Sequence, residues 1–148
     1  MRIAVGCDHA GFELKQQVLQ MLLETGREWQ DFGCYDTSSV DYPDVARAVA
    51  EAVADGRCER GLLFCGTGIG VSITANKVQG IRAALCYETF SAIASREHND
   101  SNVLCMGARV TGPGLAAEIV KAWLKTPFSG DARHSRRLEK IRQLECGL

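Results

Sequence analysis

The segment Gly61-Leu62-Leu63-Phe64-Cys65-Gly66-Thr67-Gly68-Ile69-Gly70 passes from an unbroken apolar run to a cysteine, and then to a glycine at every second residue. An apolar run without polar alternation suits a strand covered on both faces, the kind found in parallel sheets flanked by helices. The glycines after it let the backbone turn tightly and aim several N–H groups at one point, with a short helix opening near Val71. This predicts a buried strand that ends in an anion cradle. The spacing excludes two nucleotide fingerprints: Val71 follows Gly70, so G-x-G-x-x-G is not met, and no Lys-Ser or Lys-Thr follows as a nucleotide-phosphate loop requires. A small phosphate, or an oxyanion developing beside Cys65, remains, in a setting that favours a thiolate. The competing reading is a glycine-rich turn beside an inert core cysteine.

Outward from this segment, strands and helices alternate. Arg2 to Gly6, Glu28 to Phe32, Ile81 to Cys86 and Asn102 to Met106 read as further strands, the second of them less apolar and so nearer an edge. Phe12 to Glu24 carries Leu14, Val18 and Leu22 on one helical stripe and stops at Gly26. A second helix is capped by Asp44 and ends at Gly56, a third spans Glu88 to Glu97, and a fourth starts at Pro113. Five such units without hairpin signals predict an α/β fold, a Rossmann-like, doubly wound, five-stranded parallel sheet in three α/β/α layers. After Pro127 the pattern changes. Arg133 to Cys146 reads as a helix with no strand before it, with Arg133 and Arg137 on one face and Leu138, Ile141 and Leu144 on another.

A chain of 148 residues fits one domain, 1–148, with 128–148 as its helical tail. A net charge of −1 and 24% charged residues supply no global basic field, which argues against nucleic acid or a membrane surface as partner. The seven cysteines form no C-x-x-C pair and are odd in number. With neither a signal-peptide pattern nor a membrane-length apolar run, they are expected to be free thiols in a reducing cytoplasm.

In an open α/β sheet, ligands bind beyond the carboxyl ends of the strands. Asp8-His9 follows strand one, Cys65-Gly66-Thr67 strand three and Gly107-Ala108-Arg109 strand five, while His98-Asn99-Asp100 closes the helix before strand five. Each alone reads as a helix cap or a structural histidine. Together they are expected to converge on one sheet edge.

These residues resemble the B-type ribose 5-phosphate isomerases, grouped with galactose 6-phosphate isomerase subunits. The resemblance spans essentially the whole chain and rests on Gly6-Cys7-Asp8-His9-Ala10-Gly11, Asp41-Tyr42-Pro43, Cys65 to Gly70, Ala75-Asn76-Lys77, Gly80-Ile81-Arg82-Ala83, Arg96-Glu97-His98-Asn99-Asp100 and Arg133-His134. It implies a metal-free, cofactor-free cytoplasmic enzyme that interconverts aldose and ketose phosphates. It also implies a homodimer or dimer of dimers whose active sites are shared, Cys65 and its cradle coming from one chain and Arg133 and Arg137 from the other.

Carried over by residue, the resemblance makes Cys65 the base that moves a proton between C1 and C2. Thr67 and the amides of Gly66, Gly68, Ile69 and Gly70 then hold the enediolate oxygens. Some relatives use a glutamate at the position of Val71, which valine cannot replace. His98 opens the furanose ring, Asp8 handles hydroxyl protons and Asn99 holds a sugar or enediolate oxygen. His9, Arg109, Arg133 and Arg137 bind phosphate, with His134 assisting and Tyr42 shaping the wall. Gly130-Asp131-Ala132 is one residue longer than the family's turn and adds a carboxylate. Ribose 5-phosphate is the expected substrate, with allose, galactose or tetrose phosphates as alternatives and a non-catalytic binding module as a further one.

Overall fold

The computed structural model describes residues 1–147. Its centre is the strand β3 (Arg60–Cys65), in which Leu62 and Leu63 point to opposite faces and are both fully buried. With β1 (Arg2–Cys7), β2 (Glu28–Asp31), β4 (Ala83–Leu85) and β5 (Val103–Gly107) it forms an all-parallel sheet in the order β2-β1-β3-β5-β4. Val5 aligns with Leu62, and Leu62 with Leu104.

Each sheet face has its own apolar layer. On one side Leu14, Val18 and Leu22 of α1 (Phe12–Glu24), Ala92 of α4 (Thr89–Asn99) and Ile119, Val120 and Trp123 of α5 (Pro113–Lys125) cover Ile3, Val5, Phe64 and Met106. On the other, Ala46, Val49 and Val53 of α2 (Tyr42–Ala54) and Val71 and Ala75 of α3 (Ile69–Ala75) cover Ala4, Leu63 and Cys105. A buried leucine of this kind contributes about 2 kcal/mol from burial alone. No described helix is long and apolar enough to cross a membrane.

Several boundaries shift by one to three residues from the sequence reading, and two of the shifts have a clear physical cause. Helix α2 begins at Tyr42, not after an Asp44 cap: its N-cap is Asp41, Pro43 occupies the first turn, where a missing N–H costs nothing, and Asp44 lies inside that turn. Strand β4 is three residues long, shorter than Ile81 to Cys86, because it pairs only with β5. Side chains take over where backbone pairing stops: Asn76 brackets Ala83 with two bonds of 2.9 Å, and Asn102 Oδ1 accepts from Arg82 N at 2.8 Å.

Chain direction fixes where the chemistry sits. Helix α4 joins two parallel strands, so it runs back from the carboxyl edge to the amino edge. At its end Arg82, just before β4, donates to the Asn99 carbonyl at 2.9 Å. The four residue steps between the Gly61–Val103 and Cys65–Gly107 pairs put the two edges roughly 13 Å apart at about 3.3 Å per residue. The last helix, α6 (Ala132–Glu145), belongs to the amino edge: Ser129 N donates to Glu97 O at 3.1 Å and Gly80 N to Glu145 Oε2 at 3.2 Å. Between α6 and β4 lies a cavity of about 520 Å³, lined by Ile81, Ala83, Ala84, Asn99, Ile141 and Leu144.

Candidate active site

Cys65 ends β3 with 5% of its surface exposed, and the chain then turns through Gly66–Gly70. Gly68 is the glycine whose backbone demands it: its φ is +79°, and a Cβ there would meet Met106 C at 2.8 Å and Gly107 N at 3.0 Å. At Gly66 and Gly70 it is close approach that matters instead. A Cβ on Gly66 would stand 3.2 Å from the Arg109 guanidinium, and one on Gly70 would enter the Tyr42 ring at 2.6 Å. The turn therefore draws Arg109 and Tyr42 onto the cradle.

The Gly68 N–H donates to Cys65 Sγ at 3.0 Å, and the Ile69 N–H to Thr67 Oγ1 at 3.2 Å. The N–H groups of Thr67, Gly70 and Val71 have no acceptor among the described residues. Unpaired donors beside a sulfur are what a developing oxyanion needs.

Asp8 lies level with Cys65, since Cys7 pairs with Phe64 and Asp8 N donates to Phe64 O at 3.1 Å. It caps the short 3-10 turn His9–Gly11 by accepting from Gly11 N at 3.0 Å, and its second carboxylate oxygen stays available. His9 Nδ1 accepts from Val40 N at 3.3 Å, which puts the ring proton of the neutral imidazole on Nε2, a donor for an anion. Burial pushes the other sheet thiols up, Cys7 to about 12 and Cys86 to about 11, with Cys105 raised as well. They behave as small apolar residues.

The remaining expected site residues stand elsewhere. His98, Asn99, Arg133, His134 and Arg137 gather at the amino edge, contrary to the expectation that His98 and Asn99 join Cys65 on one edge. The cause is the return direction of α4, a consequence of parallel strands that strand–helix alternation already contains. His98 and His134 stack with ring centroids 4.4 Å apart and planes 12° from parallel. His134 is buried, with Nε2 unpaired. Lost hydration, then the charges of His98 and Arg133, hold its imidazole below the ordinary range. Arg133 is 64% exposed and only 3.9 Å from the Asp131 carboxylate, and Arg137 is exposed too.

Tyr87 escaped the sequence reading. It lies just past β4, and its hydroxyl donates to the Thr67 carbonyl at 2.9 Å. Extending the strand-end rule to strand four finds it. No cluster of three or more His, Cys, Asp or Glu placed to hold a metal occurs among the described residues.

A thiol under amide donors, at the ligand-binding edge of an open parallel sheet, defines a Rossmann-like α/β enzyme built around a small anionic substrate. The chain belongs to the ribose/galactose isomerase family, whose sequence model matches residues 3–141. It is 50% identical to ribose-5-phosphate isomerase B of Escherichia coli over 144 residues, covering 97% of this chain and 96% of that one. It is 46% identical to D-erythrulose-4-phosphate isomerase of Pectobacterium atrosepticum, covering 95% and 93%. The solved ribose-5-phosphate isomerase B of Clostridium thermocellum superposes with a TM-score of 0.98 at 50% identity, over 99% of each chain.

Proposed function

We propose that this chain is an aldose–ketose isomerase that interconverts ribose 5-phosphate and ribulose 5-phosphate through an enediolate. The observation that carries the reading is the Cys65 sulfur standing beside amides that have no acceptor of their own. In the forward direction His98 relays the protons that open the furanose. Cys65 Sγ then takes the C2 proton, and the electron pair moves into the C1–C2 bond as negative charge develops on the carbonyl oxygen. Thr67 and the free amides hold that charge, Asp8 carries the hydroxyl proton between the oxygens, Asn99 holds a sugar oxygen, and Cys65 returns its proton to C1. His9, Arg109, Arg133 and Arg137 bind the phosphate, the arginines through paired N–H donors. A positioned base supplies about 10²- to 10⁴-fold of the rate.

This scheme needs groups from both sheet edges, roughly 13 Å apart in one chain. We infer that the active site is shared, and that the second copy supplies His98 and Asn99 as well as Arg133 and Arg137. A two-fold axis beside β4 and perpendicular to the strands sets the amino edge of each copy against the carboxyl edge of the other. Next to that edge Ile69, Ile73, Tyr87 and Phe90 are exposed, with Phe90 at 77%. They supply the apolar surface such a contact covers. The result is a homodimer or a dimer of dimers in which α6 serves its neighbour's site. Seven free thiols suit a reducing cytoplasm.

One feature favours a second substrate. Asp131, in the lengthened turn, competes with phosphate for Arg133, so a sugar of different length is a rival, and a relative of 46% identity is named for a tetrose phosphate. The test is a coupled assay of initial rates on four-, five- and six-carbon aldose phosphates. The highest kcat/KM is expected with ribose 5-phosphate, and a clear preference for a tetrose or hexose phosphate would replace it.

A further inference from the structure

The peptide linking Thr67 to Gly68 is held at both ends. Its N–H donates to Cys65 Sγ at 3.0 Å, and its C=O accepts from the Tyr87 hydroxyl at 2.9 Å. In a trans peptide these two groups point in opposite directions across one rigid plane, so a contact at one end orients the other.

The Thr67 C and O atoms also pack against Gly107, where a Cβ would stand 2.5 Å from either, but that contact gives the oxygen no donor. Thr67 precedes the N-cap Gly68, whose own carbonyl takes the first helical bond from Ser72 N at 3.2 Å, so the Thr67 carbonyl lies outside the helix and Tyr87 is its one hydrogen-bond partner among the described residues. Gly68 tolerates either sign of φ, so its own backbone preference does not oppose rotation of this peptide. A rotated peptide would turn its carbonyl oxygen toward the sulfur and repel a thiolate.

We propose that Tyr87 is a positioning residue for Cys65, its hydroxyl locking the Thr67–Gly68 peptide so that the Gly68 N–H faces the sulfur and stabilises the thiolate. The inference deepens the proposed function and rests on Cys65 being the base. The other charged or titratable groups around the cradle stand on different elements: Asp8 at the end of β1, Cys105 on β5, Arg109 in the loop after β5 and against Gly66, and Tyr42 on α2 against Gly70. Loss of one hydroxyl on Tyr87 leaves all four in place.

The test is Tyr87→Phe, which keeps the ring and removes the donor. Iodoacetamide alkylation of Cys65 is followed against pH on the tryptic peptide spanning residues 61–77, which contains no other cysteine. The rate at neutral pH should fall about three- to tenfold, as expected for weakening a hydrogen bond to a charged group, with recovery at alkaline pH. In the isomerase assay kcat should follow the same displaced pH profile while KM stays nearly constant. Tyr87→Leu, which removes the ring as well, should shift alkylation by a similar factor. A wild-type alkylation profile in Tyr87→Phe overturns the proposal, and so does a shift confined to Tyr87→Leu, which would make the ring's packing the cause. Alkylation requires no turnover. Activity retained in Cys65→Ala would therefore overturn the base assignment and leave the alkylation result standing.

Discussion

At the carboxyl edge of the sheet Cys65 is 5% and Asp8 7% exposed, and the donors around them are largely backbone N–H groups whose directions the turn sets. At the amino edge the expected contributors are side chains at helix ends: Arg133 is 64% exposed, Arg137 is open, and only His134 is buried. The first region is organised within one chain, because strand register and the left-handed Gly68 leave its donors no other aim. The second has charge and reach, and it lies at the opposite edge of the sheet from Cys65. A site assembled from such halves, as proposed above, would gain its rigidity from the fold and its long-range electrostatics from association.

The largest expected effect strikes the carboxyl half. Cys65→Ala should lower kcat by about 10²- to 10⁴-fold while ligand affinity, measured by calorimetry with a product analogue, stays close to wild type. Activity near normal in that variant would leave the amide cradle as a phosphate site only. Next in size is a restoration that tests the comparison itself. Cys65→Ala and His98→Ala chains, each inactive alone, are refolded together. If the halves come from different chains, half of the randomly formed dimers are mixed and each carries one intact site, so about a quarter of wild-type activity returns. A mixture that stays inactive would place both residues in one chain's site.

Smaller effects come from the phosphate ligands. Arg109→Ala at one edge and Arg137→Ala at the other should each raise KM about tenfold or more, with kcat changed less, since each removes charge-assisted hydrogen bonds. In the double variant the two losses should fall short of additive if both arginines hold the same phosphate. The smallest expected effect is on stability. His134 is held below the ordinary imidazole range, so as pH falls through about 6.5 the unfolded chain takes up a proton before the folded one does. Its contribution is therefore present at neutral pH and lost toward acid. His134→Asn should narrow the Tm gap between neutral and mildly acidic solution by about one to two degrees.

Much of this was legible from sequence because the signals are local. The run Gly61 to Cys65 identified a strand buried on both faces, and the apolar stripes of α1, α2 and α5 followed from helical spacing, since both periods depend on backbone geometry within a few residues. The glycines announced a cradle, and the strand-end positions of Asp8, His9 and Arg109 followed from a rule about open sheets. His98 and Asn99 were identified as chemical groups and then placed on the wrong edge, because their position depends on which way α4 travels. Tyr87 was passed over because a tyrosine after a short strand has no local signature; its role rests on a carbonyl twenty residues earlier.

By itself the sequence determined the parallel α/β class, the thiol at the end of β3 and the flexible glycines behind it, because steric limits and hydrophobic period act on neighbouring residues. The tertiary structure alone decided that β5 inserts between β3 and β4. That leaves β4 as a three-residue edge and brings Tyr87 over Thr67. It also decided that Arg109 and Tyr42 close on Gly66 and Gly70, the second too tightly to admit a Cβ. These outcomes depend on contacts between segments far apart in sequence. Which strand pairs with which is set by how all the apolar faces are buried together, a quantity that no local stretch of residues carries.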